Sequence, residues 1–366
     1  MEREEALDVD VLIVGAGPAG STTARYCAGK DLDVLMIDRR AEIGYPVQCG
    51  EFLPDTEEMY SMFPKSMDLE EIFSIDESLI AGSSDHIDLI SPKDRVYRCP
   101  FKGRTLDRRS FDKYLARLSV EAGARIETGA SLLSIKDGLA KTTLGDIRAK
   151  VIVGADGPNS RTARSTGLSG PVAKYPAITC QVEGDFEPII KMYFGLTAPG
   201  GYAWVIPKRQ GANVGIGFNP KLIKEPPSEL FKRFASRLGM TYKDVSMKFV
   251  PMSGPVPQTV KDNVMLVGDA AGQVMATNGG GIPTAMIAGR IAGQTIRRHL
   301  KDGQALSEYE WRWRGVLGKP LSDSLWTRKF GDIFFPTDRR TEFAMFVLGR
   351  RGLARALRCA KVFYLI

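Results

Sequence analysis

Six residues near the amino terminus, Gly15-Ala16-Gly17-Pro18-Ala19-Gly20, have the spacing of a phosphate-binding turn. The apolar run Val9–Val14 leads into them, and a helix pattern follows from Ser21 to about Gly29. Such glycines permit a tight turn and close backbone approach to a pyrophosphate, while the following helix aims free N–H groups and its dipole at the anion. A second apolar run, Val34–Ile37, ends in Asp38, an acid placed to accept hydrogen bonds from a ribose diol and to repel a 2′-phosphate. Together these features predict a bound dinucleotide; the competing reading is a Gly-rich turn used only for packing. Two later segments, Gly154-Ala155-Asp156-Gly157 and Gly268-Asp269-Ala270-Ala271-Gly272, also follow apolar strands. Each places an Asp where it meets a ribityl or pyrophosphate group near the first loop. A simple NAD domain has no use for returning to the nucleotide so far along the chain, so the three strand–glycine–acid units point to FAD.

Other chemistries have little support. The chain has two histidines, His86 and His299, which argues against His-dependent nucleophilic catalysis and a His-ligated metal. Its five cysteines are scattered without C-x-x-C or metal-ligand spacing, so neither a zinc site nor a disulfide framework is expected. The chemistry must come from a cofactor. An acidic amino terminus leading straight into a strand shows no secretory signal, and a reducing cytoplasm is the expected compartment.

The elements that must position these residues are short and alternating. Leu106–Ala122 reads as an amphipathic helix, with strands at Ala124–Glu127, Leu132–Ile135, Asp146–Val153 and Val264–Val267. From Ile178 to Phe218 the pattern is strand-like, and a long helix runs from Ile282 to about Leu300. With 366 residues, 43% apolar and 25% charged, the chain is an ordinary globular one of about two domains. Residues from Arg339 onward carry seven cations against Glu342, a +6 share of the net +7. The body is therefore near neutral, and nucleic-acid binding is not expected. No apolar stretch reaches the ~20 residues needed to span a bilayer. Phe343, Phe346, Val347, Leu353 and Leu357 alternate with arginines, which fits a helix lying on an anionic membrane surface as well as the solvated face of a packed helix.

The order of the fingerprint, the Asp-Gly motif and the Gly-Asp motif resembles the glutathione-reductase-like flavoproteins of the aromatic-hydroxylase type. Leu106-Asp107-Arg108-Arg109-Ser110-Phe111-Asp112 looks like their D-R-x-x-F-D element, whose Arg contacts the flavin dinucleotide; the match assigns Arg108, with Arg109 as a solvated neighbour. Asn278-Gly279-Gly280-Gly281-Ile282 resembles the glycine loop whose N–H groups face the flavin N1/O2 edge. Two segments narrow the resemblance to the geranylgeranyl reductase family. Pro46-Val47-Gln48-Cys49-Gly50-Glu51 looks like its P-x-x-C-G-E turn, and Tyr202-Ala203-Trp204-Val205-Ile206-Pro207 like its Y-x-W-x-F-P substrate motif, with Ile206 in the usual Phe place. The resemblance covers residues 9 to about 300.

It implies an α/β fold: a discontinuous FAD-binding Rossmann domain (1–80, 100–170 and 258–300), an antiparallel-sheet prenyl-binding domain (81–99 and 171–257) and a basic helical segment (301–366). The implied cofactor contacts are Gly15, Gly17, Ala19, Gly20, Asp38, Cys49, Gly50, Phe52, Arg108, Leu132, Asp156, Asp269, Gly280, Gly281 and Ile282. Tyr202, Trp204 and Pro207 are the implied substrate contacts, and Cys49 is the candidate proton donor, with packing under the ring as its alternative. The implied reaction is saturation of geranylgeranyl chains, on an archaeal-type diether lipid or a chlorophyll-type substrate. Ferredoxin, a deazaflavin and NADPH are all candidate external donors. A monooxygenase or halogenase of the same fold competes, although a halogenase is expected to show W-x-W-x-I-P where this chain has Tyr202. A non-catalytic prenyl escort competes too, and the intact Gly268-Asp269 and Gly279–Ile282 segments argue against it. The expected location is cytoplasmic, peripheral on the inner face of the membrane.

Overall fold

The computed structural model describes residues 5–362; the outermost four residues of the first and last segments expected above lie outside them. Strands Val264–Leu266, Gly145–Gly154, Leu7–Val14, Val34–Asp38 and Arg125–Thr128 lie parallel in that order, with Val260–Lys261 antiparallel at one edge. The hairpin Leu132–Lys136 and Leu139–Thr142 continues antiparallel from Gly145–Gly154. The central strands are covered on both faces, so Val11–Val14 and Val34–Asp38 are wholly buried; this is why they read as unbroken apolar runs. This is the doubly wound arrangement of a dinucleotide-binding domain.

One cover is built by two helices, Pro18–Cys27 and Ile282–Asp302, packed backbone to backbone. A Cβ at Gly289 would stand 2.8 Å from the Ala19 carbonyl oxygen, and one at Gly293 would stand 2.6 Å from that of Thr23. These two glycines, one turn apart on the same helix face, allow an approach that no larger residue permits. The far end of the sequence is thereby seated on the first helix.

The second sheet runs Lys243–Pro251, Lys174–Val182, Gly211–Gly217, Tyr202–Lys208, Ile190–Tyr193, Ile80–Ile90, Val96–Leu106 and Phe52–Pro54. Its pairings are antiparallel except for Ile190–Tyr193 against Ile80–Ile90, which is parallel. The sheet reaches past the expected limits: the boundaries placed near 80 and 100 fall inside strands, and Phe52–Pro54 joins it as an edge. Helices Glu308–Trp313, Lys319–Phe334 and Asp338–Leu357 close the molecule. Buried Trp313 donates to Thr259 Oγ1 at 3.0 Å, tying these helices to the first sheet. The last helix breaks at Gly349, whose φ of 55° is non-helical. That break corrects the expectation of one apolar stripe: Phe343, Phe346 and Val347 are exposed, whereas Leu353 and Leu357, beyond the break, are buried. None of the described helices is long and apolar enough to cross a membrane.

Candidate functional site

The three strand–glycine–acid units meet at the carboxyl ends of the parallel strands. Gly15 (φ 106°) lies so close to Ala155 that a Cβ there would stand 2.4 Å from the Ala155 carbonyl oxygen. A Cβ on Gly268 would stand 2.8 Å from the Ala19 methyl. The helices starting at Pro18 and Ile282 both lack a side-chain cap and any acid in the first turn, so their positive ends face the same space.

That space is a cavity of about 780 Å³ running from the nucleotide loop across the second sheet to the carboxyl-terminal helices. Its wall includes Gly15, Gly17, Ala19, Asp38, Cys49, Gly50, Phe52, Arg108, Leu132, Asp156, Tyr202, Trp204, Asp269, Gly280, Gly281 and Ile282. Two expected contacts are missing from it. Gly20 is a packing glycine, because its Cβ would fall 1.8 Å from the Gly15 carbonyl oxygen. Pro207 is a correction. Strand alternation from Tyr202 and Trp204 brings Ile206 to the cavity and turns Pro207 to the other face with Ala203 and Val205.

The nucleotide end fits FAD. A Cβ at Gly17 would meet nothing within 4 Å, so the backbone there is open to the cavity. Asp38 accepts from Ala16 N and Arg40 N, both at 2.8 Å, which shapes the loop and holds the acid at its rim. One oxygen of Asp156 caps the helix Arg161–Thr166, accepting from Arg161 N at 2.7 Å and Thr162 N at 3.0 Å. The other, Oδ1, is buried without a partner, as expected of an atom awaiting a ligand hydroxyl. Asp269 pairs with Lys248 at 2.8 Å. When bound, FAD supplies hydride-transfer chemistry that no side chain here provides.

Around Cys49 lies a network that the sequence reading did not contain. Glu51 is 1% exposed and has a left-handed backbone, φ 66°. Burying a lone carboxylate costs several kcal/mol, and here four donors offset it. Lys208 Nζ stands 2.5 Å from Oε2, Asn213 Nδ2 2.8 Å and Gln181 Nε2 3.1 Å, while Arg108 N stands 3.3 Å from Oε1. Asn213, fully buried, also donates to the Cys49 carbonyl at 2.9 Å and accepts from Trp204 Nε1 at 2.8 Å. One side chain thus locks the cysteine turn to the tryptophan strand. Gly215 gives the indole its room, since a Cβ there would sit 2.2 Å from Trp204 Cζ2. The Cys49 sulfur accepts from Glu51 N at 3.2 Å.

Arg108 is already engaged through Nε and Nη2 with Asp112, both at 2.9 Å. Burial opposes its charge most, but Asp112, Glu51 and the other groups around it together more than offset burial, and the guanidinium is held more firmly protonated than usual. Arg109 pairs with Glu42 and is half exposed. Tyr202 donates to the Asn278 carbonyl, and burial pushes its phenol well above the ordinary range, so it stays a neutral donor. Asn278 Oδ1 in turn takes the Gly280 N–H at 2.9 Å, giving that amide a partner inside the glycine loop.

Two family models match the chain: a geranylgeranyl reductase catalytic domain over residues 173–252, and an NAD(P)-binding Rossmann-like domain over residues 13–60. The first spans the second sheet from Lys174–Val182 to Lys243–Pro251. The digeranylgeranylglycerophospholipid reductase of Methanosarcina acetivorans is 36% identical, over 86% of this chain and 83% of its own length. A digeranylgeranylglycerophospholipid reductase 2 of Methanothermobacter thermautotrophicus is also 36% identical, over 88% of each. Among solved structures, a geranylgeranyl bacteriochlorophyll reductase-like protein from Thermoplasma acidophilum superposes with a TM-score of 0.82 at 28% identity, covering 93% of this chain and 91% of its own. A flavin-dependent brominase at 19% identity (TM-score 0.69, covering 97% of this chain and 94% of its own) shares the fold alone. With relatives of that identity over most of its length, and with a reductase family model lying on the sheet that faces its cysteine turn, the chain belongs to the geranylgeranyl reductase family.

Proposed function

We propose that the protein saturates the double bonds of geranylgeranyl chains on an archaeal-type diether glycerolipid, with FAD as cofactor and an external reductant. The observation that carries this is the continuity of one cavity. It joins the dinucleotide loop to an apolar space walled by Trp204, Ile206, Phe194, Phe330, Phe334 and Phe335. The relatives named for this chemistry support the reading. An isolated alkene needs a hydride at one carbon and a proton at the other. Cys49 is assigned as the proton donor because it is the one described thiol that is not buried, and it stands on the cavity wall between the two ends. Asn213 and Glu51 hold its turn, and Trp204 and Tyr202 exclude water beside it.

Peripheral contact with an anionic lipid surface belongs to the same reading. Ile333, Phe343, Phe346 and Val347 are exposed near Arg339, Arg340, Arg350 and Arg351, and the same two helices line the cavity.

The test uses the FAD-loaded protein, reduced anaerobically with dithionite and mixed with a geranylgeranyl diether lipid. Return of the yellow colour with a gain of two hydrogens per double bond is expected. A flavin that stays reduced until air enters would overturn the proposal and favour a monooxygenase; a protein that binds no FAD would favour a prenyl-binding escort.

A further inference from the structure

Several of the arginines that hold this fold together grip a carboxylate with one edge of the guanidinium. Arg98 grips Asp88, Arg108 grips Asp112 and Arg109 grips Glu42, each through Nε and Nη2 as a two-pronged fork. Arg328, on the helix Lys319–Phe334, departs from that pattern. Its two contacts, Tyr175 Oη at 2.8 Å and Asp332 Oδ2 at 2.7 Å, both fall on Nη1. Its Nε is buried with no partner, and its Nη2 makes no hydrogen bond among the described residues. The edge best matched to a pair of oxyanion oxygens is unused.

Arg328 and Tyr175 stand on the wall of the main cavity. The helix is pinned there by Ser324, one turn earlier, whose Oγ accepts from Thr277 N at 2.9 Å, beside the glycine loop. Further along the helix, Phe330, Gly331, Phe334 and Phe335 line the cavity as apolar wall, with Asp332, the Arg328 partner, as the one acid among them. Asp332, the one acid on Arg328, touches a single nitrogen, Nη1, and burial pushes its carboxyl above the usual range.

We propose that Arg328 is an oxyanion site that takes a phosphate-type group through its Nε–Nη2 edge. Resting on the prenyl-lipid reading, that group is the phosphate of the lipid's glycerol headgroup; inorganic phosphate carries the same chemistry. Binding, which needs no turnover, tests it. The FAD-loaded protein in neutral detergent is titrated with a saturated isoprenoid diether glycerophosphate, with the uncharged diether glycerol, and with inorganic phosphate. The expected result is tighter binding of the phosphate lipid than of the uncharged one. Arg328→Gln should weaken the phosphate lipid about 10- to 100-fold, the size of a charge-assisted pair. It should leave the uncharged lipid within about twofold, and Arg328→Lys should recover part of the loss. Equal weakening of both lipids, or no preference by the unaltered protein for any phosphate, would overturn the proposal. Inorganic phosphate bound in an Arg328-dependent way, with neither lipid bound, would uphold the oxyanion site and sink the lipid reading instead.

Discussion

Cys27, Cys99, Cys180 and Cys359 are buried, and burial pushes each thiol upward, to about 12 for Cys27, Cys180 and Cys359. The sign is simple: a thiol raised that far is almost wholly protonated at pH 8, and a protonated thiol is a poor nucleophile. Cys49 alone among the five is half-buried and borders the cavity. Iodoacetamide at pH 8 is therefore expected to modify Cys49 first in the folded, FAD-free protein, read by peptide mass, and bound FAD should protect it. Modification spread evenly over the five, or unaffected by FAD, would remove Cys49 from the cofactor's side. The cysteine turn was legible in the sequence because its residues are consecutive. Its supports were not. Asn213, Gln181 and Lys208 come from other strands, and nothing in a polar residue on an apolar strand announces which distant carbonyl or carboxylate it will meet. Glu51 was in view as part of the turn, but its burial became visible only when those strands closed over it.

At the scale of elements, the nucleotide turn separates two glycines that look alike in the sequence. Gly17 faces open space with φ −78° and ψ −175°, a backbone that alanine adopts readily. Gly20 touches the carbonyl of Gly15. Gly17→Ala is expected to cost no more than about 1 kcal/mol in urea unfolding of the FAD-free protein, yet to weaken FAD about tenfold or more, since its methyl enters the cavity. Gly20→Ala should cost about 3 kcal/mol or more whether or not FAD is present. If the two variants behave alike in unfolding and in flavin titration, this division of labour is wrong. Strand parity was the other lesson at this scale. Tyr202 and Trp204 were legible as a pair on one face, and the same alternation selects Ile206; the Y-x-W-x-F-P resemblance extends the contact to Pro207, against the period of two. Gly349 likewise divides a tail that reads as one amphipathic stripe, because a single residue with positive φ re-aims everything after it.

On the scale of the whole molecule, the exposed apolar side chains of the last two helices lie on the same elements that wall the apolar end of the cavity. A lipid tail drawn from a membrane would then enter without crossing open water. Replacing Phe343 and Phe346 by glutamate should sharply reduce flotation with anionic liposomes, while leaving the flavin spectrum and unfolding midpoint in place, because both side chains are more than 60% exposed. Flotation that survives the double substitution would assign these rings to another role.

The glycine crossing between the helices Pro18–Cys27 and Ile282–Asp302 also bears on how the protein is made. The nucleotide loop leaves the ribosome well before the helix that buttresses it, and the Asp269 and Gly279–Ile282 segments that complete the cradle emerge only about 250 residues later. Domains generally fold as units during synthesis, and this one cannot close until its last strand and that helix are out. Capture of FAD is thus a late event in the life of each new chain, and until then the apolar faces meant for the cavity wait uncovered.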